Sequence, residues 1–182
     1  PPPPIFFFNA HPVKRYPNYE RIAILENRLL QLTRPQFTVT GNKTFHPDGK
    51  IRLNVSFKNL QSLTAKLYRI DSPLEVEIAR SGVRNSIERK RRHVKDVSVS
   101  LPERVPYLEG TTSLVIDAME PGTYMLEFVS APKVSTPHAA DYYFAVSNLA
   151  VFSRSSGKDA YDFFVVDRNN GEPVSNASVM LY

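Results

Sequence analysis

The 182-residue sequence contains neither cysteine nor tryptophan. Without cysteine there is no disulfide framework, no thiolate metal site, no cysteine nucleophile and no internal thioester. The absence does not fix a compartment, because an oxidising location permits disulfides without requiring them. Glycine is scarce, at 7 residues, too few for a flexible linker protein. No apolar run reaches the roughly 20 residues that a membrane-spanning helix needs. There is no starting Met and no charged region leading into an apolar core, so a signal peptide or membrane anchor encoded by the gene would lie outside this segment. The chain reads as a piece of a longer protein.

What is present is enough to build a core. Apolar residues make up 42% and aromatics 11%, so the 15 prolines punctuate a folded chain. The length is large for one immunoglobulin-type sandwich of roughly 100 residues and small for two. The net charge of +5 is concentrated locally: Arg80, Arg84, Arg89, Lys90, Arg91, Arg92 and Lys95 fall in one short stretch.

Pro1 to Pro4, followed by the apolar Ile5 to Phe8, requires something to pack against. Between Pro17 and Pro35 the spacing predicts a helix, with Ile22, Leu25, Leu29 and Leu32 on one face, Asn18 as N-cap and Pro35 as terminator. That face must be buried, either on a sandwich or against a helical region upstream. From Phe37 the period falls from 3.6 to 2. Ile51, Leu53, Val55 and Phe57 alternate with Arg52, Asn54, Ser56 and Lys58, the pattern of a strand with one face in a core. Further strands are expected at Leu63 to Leu67, Val97 to Leu101, Leu114 to Ile116, Tyr124 to Phe128 and Tyr142 to Val146. Short alternating strands without intervening helices predict an antiparallel β-sandwich over residues 37–147. Pro121 and Gly122 form a turn that leads Tyr124 into a strand, either as a tyrosine corner bonded to upstream backbone or as an ordinary core tyrosine.

The pattern then restarts, with Leu149 to Phe152, Tyr161 to Val166, a turn at Asn169 to Gly171, and Val179 to Tyr182. Phe163 to Tyr182 carries a strand ending in Asp167, a Gly171-Glu172-Pro173-Val174 turn and a close on Leu181-Tyr182. This resembles the start of a macroglobulin domain in bacterial alpha-2-macroglobulin-like proteins. Tyr142 to Ala150 resembles that family's domain junction, and Asn59 to Asp71 is similar to its N-terminal macroglobulin domain. The resemblance covers residues 35–182. It implies an all-β, immunoglobulin-like, macroglobulin-like sandwich with one N-terminal helix and the start of a second sandwich. The expected division is a proline-rich lead and helix over 1–36, a sandwich over 37–147 and the first strands of a second domain over 148–182. The resemblance further implies a bacterial protein of the envelope, periplasm, cell surface or medium that traps or inhibits proteases, its partners being proteases or neighbouring domains.

Chemistry-bearing motifs are missing. His11, His46, His93 and His138 lack metal-ligand spacing, and there is neither a Gly-x-Ser-x-Gly elbow nor a Gly-rich phosphate cradle. No catalytic, cofactor-binding or metal site is expected, no cofactor, and no enzyme activity. His46-Pro47-Asp48-Gly49 reads as a turn. Asn42, Asn54 and Asn176 head glycosylation sequons, read as unmodified. Arg89, Lys90, Arg91 and Arg92 form a solvated loop or edge strand, a protease-sensitive loop or an anion site; interleaved aromatics for stacking bases are absent, so nucleic acid is not expected. The polar stretch Ser81 to Asp96 is expected to be a mobile excursion between strands. The alternative function is an adhesin-like or carbohydrate-binding sandwich using Tyr142, Tyr143, Tyr161 and Phe163.

Overall fold

The computed structural model describes residues 22–70, 91–103, 107–134, 141–158 and 160–179. Within them one helix, α1 (Ile22–Thr33), precedes ten strands. Two sheets face each other. The smaller has the order β1 (Gln36–Gly41), β3 (Ile51–Lys58), β6 (Gly110–Ile116). The larger has the order β2 (Thr44–Phe45), β8 (Asp141–Val146), β7 (Gly122–Ala131), β4 (Ser62–Ile70), β5 (Arg91–Val99). Among the described residues the two sheets together hold eight strands. All pairings are antiparallel except β2 with β8, which is parallel.

Alternation along the strands builds the core. Ile51, Leu53, Val55 and Phe57 are buried along β3, and Leu63, Ala65 and Leu67 are buried along β4. Tyr124, Leu126 and Phe128 on β7 complete the inner face of the larger sheet. Phe37 of the smaller sheet meets Phe128 of the larger at 5.7 Å between ring centroids. Gly41 lies where β1 passes Leu53. A Cβ there would come within 2.6 Å of Leu53 Cδ2, a separation that forces something to move.

The helix departs from expectation. Its stripe of Ile22, Leu25, Leu29 and Leu32 is not buried; Leu25 is 42% and Leu32 40% exposed. The helix meets the sandwich end-on, through the orphan carbonyls of its last turn, and not along its apolar side. Asn59 Nδ2 donates to Leu32 O at 2.6 Å, and Lys58 Nζ donates to Gln31 O at 3.3 Å, a cation at the negative end of the helix dipole. Asn59 holds a positive φ of 54° in the turn between β3 and β4, a conformation asparagine tolerates better than most side chains. The lead over 1–8 and the N-cap Asn18 lie outside the described residues.

A separate two-stranded sheet follows, β9 (Leu149–Gly157) with β10 (Ala160–Asp167). The Asn169–Gly171 turn then reverses the chain, with Gly171 N–H donating to Asp167 O and Val174 N–H to Val165 O. His46 Nδ1 accepts from the Asp48 N–H at 3.2 Å, so its Nε2 carries the proton and donates to Asn169 Oδ1 at 2.6 Å. Arg168 N–H donates to Asn148 O at 2.6 Å. These bonds tie the end of the β9–β10 hairpin to the sandwich.

Leu126 is fully enclosed, and Leu126→Ala is expected to cost about 2–5 kcal/mol, the range for a leucine deleted from a packed core. A thermal or urea melt measures it, and a loss below about 1 kcal/mol would contradict the packing described above.

Candidate functional site: the basic edge strand

The candidate site is built on β5, whose sequence Arg91-Arg92-His93-Val94-Lys95-Asp96 has little intrinsic strand character. Pairing along the whole of β4 holds it extended. The expected mobile excursion over 81–96 is therefore corrected in its last part: Arg91 to Asp96 form a strand, and among the described residues it is the edge of the five-stranded sheet. Of the basic run, Arg89 and Lys90 lie outside the described residues.

One irregularity sets the geometry. Arg92 lies opposite Arg69 and His93 opposite Tyr68, while Lys95 lies opposite Leu67; Val94 has no partner and forms a bulge. Cross-strand partners share a face, so this extra residue rephases the strand. Arg92 and Lys95, three apart in sequence, both fall on the inner side with Arg69 and Leu67. Arg91, His93 and Asp96 fall on the outer side with Ile70, Tyr68 and Lys66. Arg91 and Arg92, adjacent in the run, therefore do not share a patch.

The outer group is internally satisfied. The Arg91 guanidinium lies 4.3 Å from the Tyr68 ring centroid and 3.4 Å from a Glu127 carboxylate oxygen. His93 sits edge-on to Tyr68 at 5.5 Å, with its Nε2 2.7 Å from Asp96 Oδ1. Burial raises the Tyr68 phenol above its ordinary value, and its hydrogen bond to the Glu127 carboxylate raises it further.

The inner group borders a cleft of about 410 Å³ at the end of the sandwich. Its walls are Arg69, Arg92, Val94 and Lys95, with His93 at the rim, on one side and Ala118, Met119, Glu120 and Tyr124 on the other. Arg69 is committed: Nη1 is 2.9 Å from Glu120 Oε2, and Nη2 donates to Pro121 O at 3.2 Å. Tyr124 donates its hydroxyl proton to Glu120 O at 2.8 Å, the upstream backbone bond of a tyrosine corner. Burial raises the Tyr124 phenol, and the neighbouring Arg69 opposes that shift. Arg92 and Lys95 are exposed and form no ion pair among the described residues. The Val94 bulge, which brings these groups together, has no signature in the sequence.

The remaining candidates do not form a site. Tyr142 is only 5% exposed, and its hydroxyl donates to Asn42 O at 2.9 Å. Tyr143 points to the opposite face, against Ile70 and Met125, while Tyr161 and Phe163 lie on β10. The four do not share a carbohydrate platform. Of the histidines, His46 is used in the hairpin contact and His93 in the outer cluster, while His11 and His138 lie outside the described residues. Among the described residues no group of three His, Asp or Glu is placed to hold a metal ion, and no helix is long and apolar enough to cross a membrane.

Comparison with solved structures finds a native alpha-2-macroglobulin from Escherichia coli, spanning domains MG0, NIE and MG1. The TM-score is 0.60 at 12% identity, over 78% of this chain and 48% of that one. The fold is macroglobulin-like. The chain spans about half the length of that structure. A CARDB domain from Pyrococcus furiosus, determined with di-metal ions, matches at 17% identity over 63% of this chain and 88% of its own, with a TM-score of 0.33 too low to bear on the architecture. No family model and no curated protein matches the sequence.

Two outcomes follow from the two faces of β5. Arg91→Ala should destabilise the fold by about 0.5–1 kcal/mol through its ring and carboxylate contacts, whereas Arg92→Ala should stay within about 0.5 kcal/mol of the parent. Paired denaturant melts compare them. The raised phenols set an alkaline limit: the neutral hydroxyls are held in the folded state, so their contribution is whole below pH 10.0 and is lost as pH rises through the folded values. Tyr124→Phe should cost about 0.5–1.5 kcal/mol at neutral pH and flatten the decline above pH 10, read from urea midpoints against pH.

Proposed function

We propose that the chain is a structural and protein-interaction module of a large extracytoplasmic alpha-2-macroglobulin-like protein, contributing to the trapping or inhibition of proteases and performing no catalysis itself. The macroglobulin-like fold is the observation that carries this reading. A second feature supports it. The β9–β10 hairpin is apolar on both faces, with Val151 58% and Tyr161 62% exposed on one and Phe152 60% and Phe164 50% on the other. A lone two-stranded sheet of this kind is not independently stable and needs further strands to cover it. Residues 148–182 are read as the opening of a second macroglobulin-like sandwich, whose other strands supply that cover.

Deleting residues 148–182 should leave the sandwich with its cooperative melt and reduce self-association in sedimentation. Loss of the melt would place these residues within the first domain. The inhibitory role is tested on the whole gene product with and without this module. Protease added to the intact form should lose its ability to digest a large protein substrate, and an equal loss with both forms would remove the module from that role.

A further inference from the structure

We propose that the cleft beside β5 is a docking site for an acidic, extended segment of a partner protein, which adds to β5 as a new edge strand and seats its carboxylates on Arg92 and Lys95. The first ground is the sheet order, which ends at β5 and leaves one side of its backbone without a neighbouring strand among the described residues. An edge of this kind is a template for strand addition, in which main-chain bonds give affinity and alternate side chains give specificity.

The second ground is the bulge. Because Val94 is unpartnered, Arg92 and Lys95 stand opposite Arg69 and Leu67, residues two apart on β4. A strand added on the free side meets the same phasing, so carboxylates at alternate positions of the incoming segment reach Arg92 and Lys95 together. Bulges of this type re-aim side chains where a strand edge is used. Charge is the third ground. The cleft holds Arg69, Arg92 and Lys95 against the single carboxylate of Glu120, which Arg69 already engages. The apolar walls of Val94, Ala118 and Met119 suit aliphatic side chains between the acidic ones.

The same cations repel a second copy of β5. Inward-pointing charges on an edge strand discourage self-pairing, and repulsion of like edges combined with attraction of an acidic one is how a surface discriminates between partners.

The test uses the full chain and a fluorescein-labelled peptide of alternating valine and glutamate, followed by anisotropy at low salt. The glutamate peptide should bind, and its glutamine counterpart should bind at least about ten-fold more weakly. Arg92→Glu combined with Lys95→Glu should weaken the glutamate peptide by a similar factor while the thermal midpoint stays near the parent's, because both side chains are exposed. If that variant loses its cooperative melt, Arg92→Gln with Lys95→Gln removes the charges and carries the same expectation. N-methylation of alternate peptide amides on the edge facing β5 should abolish binding. The proposal is overturned if the glutamate peptide does not bind, in which case the charges only keep edges apart. It is likewise overturned if the glutamine peptide or the folded charge variant binds as well as its reference, if N-methylation leaves affinity intact, or if millimolar sodium phosphate alone displaces the peptide, which would define a small-oxyanion site.

Discussion

Leu67 and Leu126 stand directly opposite each other on β4 and β7, both wholly excluded from solvent, and the rest of the molecule is arranged around that pair. Burying such a side chain contributes about 1.5–3 kcal/mol. The period of two then carries the contact outward, to Ala65 beside Phe128 and to Leu63 farther along. The facing sheet must present Leu53, Val55 and Leu114 at matching depth. A one-residue slip of β7 on β4 would turn Leu126 and Phe128 to the outside, which is why the register is held over the full length of β4. The tyrosine corner closes one end of the same strand, since Tyr124 lies on the inner face yet finds a partner for its hydroxyl in the turn that precedes it.

How well each element could be read from the sequence follows from its distance to that core. β3 was legible in full, because all four of its inner positions are apolar and all four outer ones polar. β7 was legible through Pro121, Gly122 and the alternation after Tyr124. Two-residue β2 is too short for any periodicity, and its parallel pairing with β8 is set by tertiary contacts alone. The helix was legible as a helix but not in its docking. Periodicity identifies an apolar face without saying what covers it, and here the last-turn carbonyls make the contact through Asn59 and Lys58.

The site was the least legible part. A run of cations in sequence reads as one patch, whereas a strand separates neighbours to opposite faces. Arg91 accordingly serves the outer cluster with Tyr68 and Glu127, and Arg92 serves the cleft. Among the cleft residues, Arg92 and Lys95 were visible beforehand as members of the basic stretch, and Tyr124 because a turn followed by an aromatic strand entry has a local signature. Arg69 carries no local signature of its place in the cleft. Its role rests on Glu120, which is 51 positions away.

The bulge at Val94 reconciles two demands that a regular strand could not meet together. Val97 and Val99 must face inward, where Val99 is buried in the core and Val97 packs against it. Counting back by twos from Val97 reaches Lys95, His93 and Arg91, so an unbroken strand would point His93 and Arg91 inward and Arg92 outward. His93 and Arg91 would then leave Tyr68 and Glu127, and Arg92 would leave the cleft wall. One unpaired residue restores both sets of contacts at the cost of a local gap in the ladder. That gap falls at the sheet's edge, beside solvent, where an unpaired backbone group can be hydrated and a bulge is least expensive. The apolar half of β5 thus anchors the strand in the core, and the bulge lets its charged half be oriented independently.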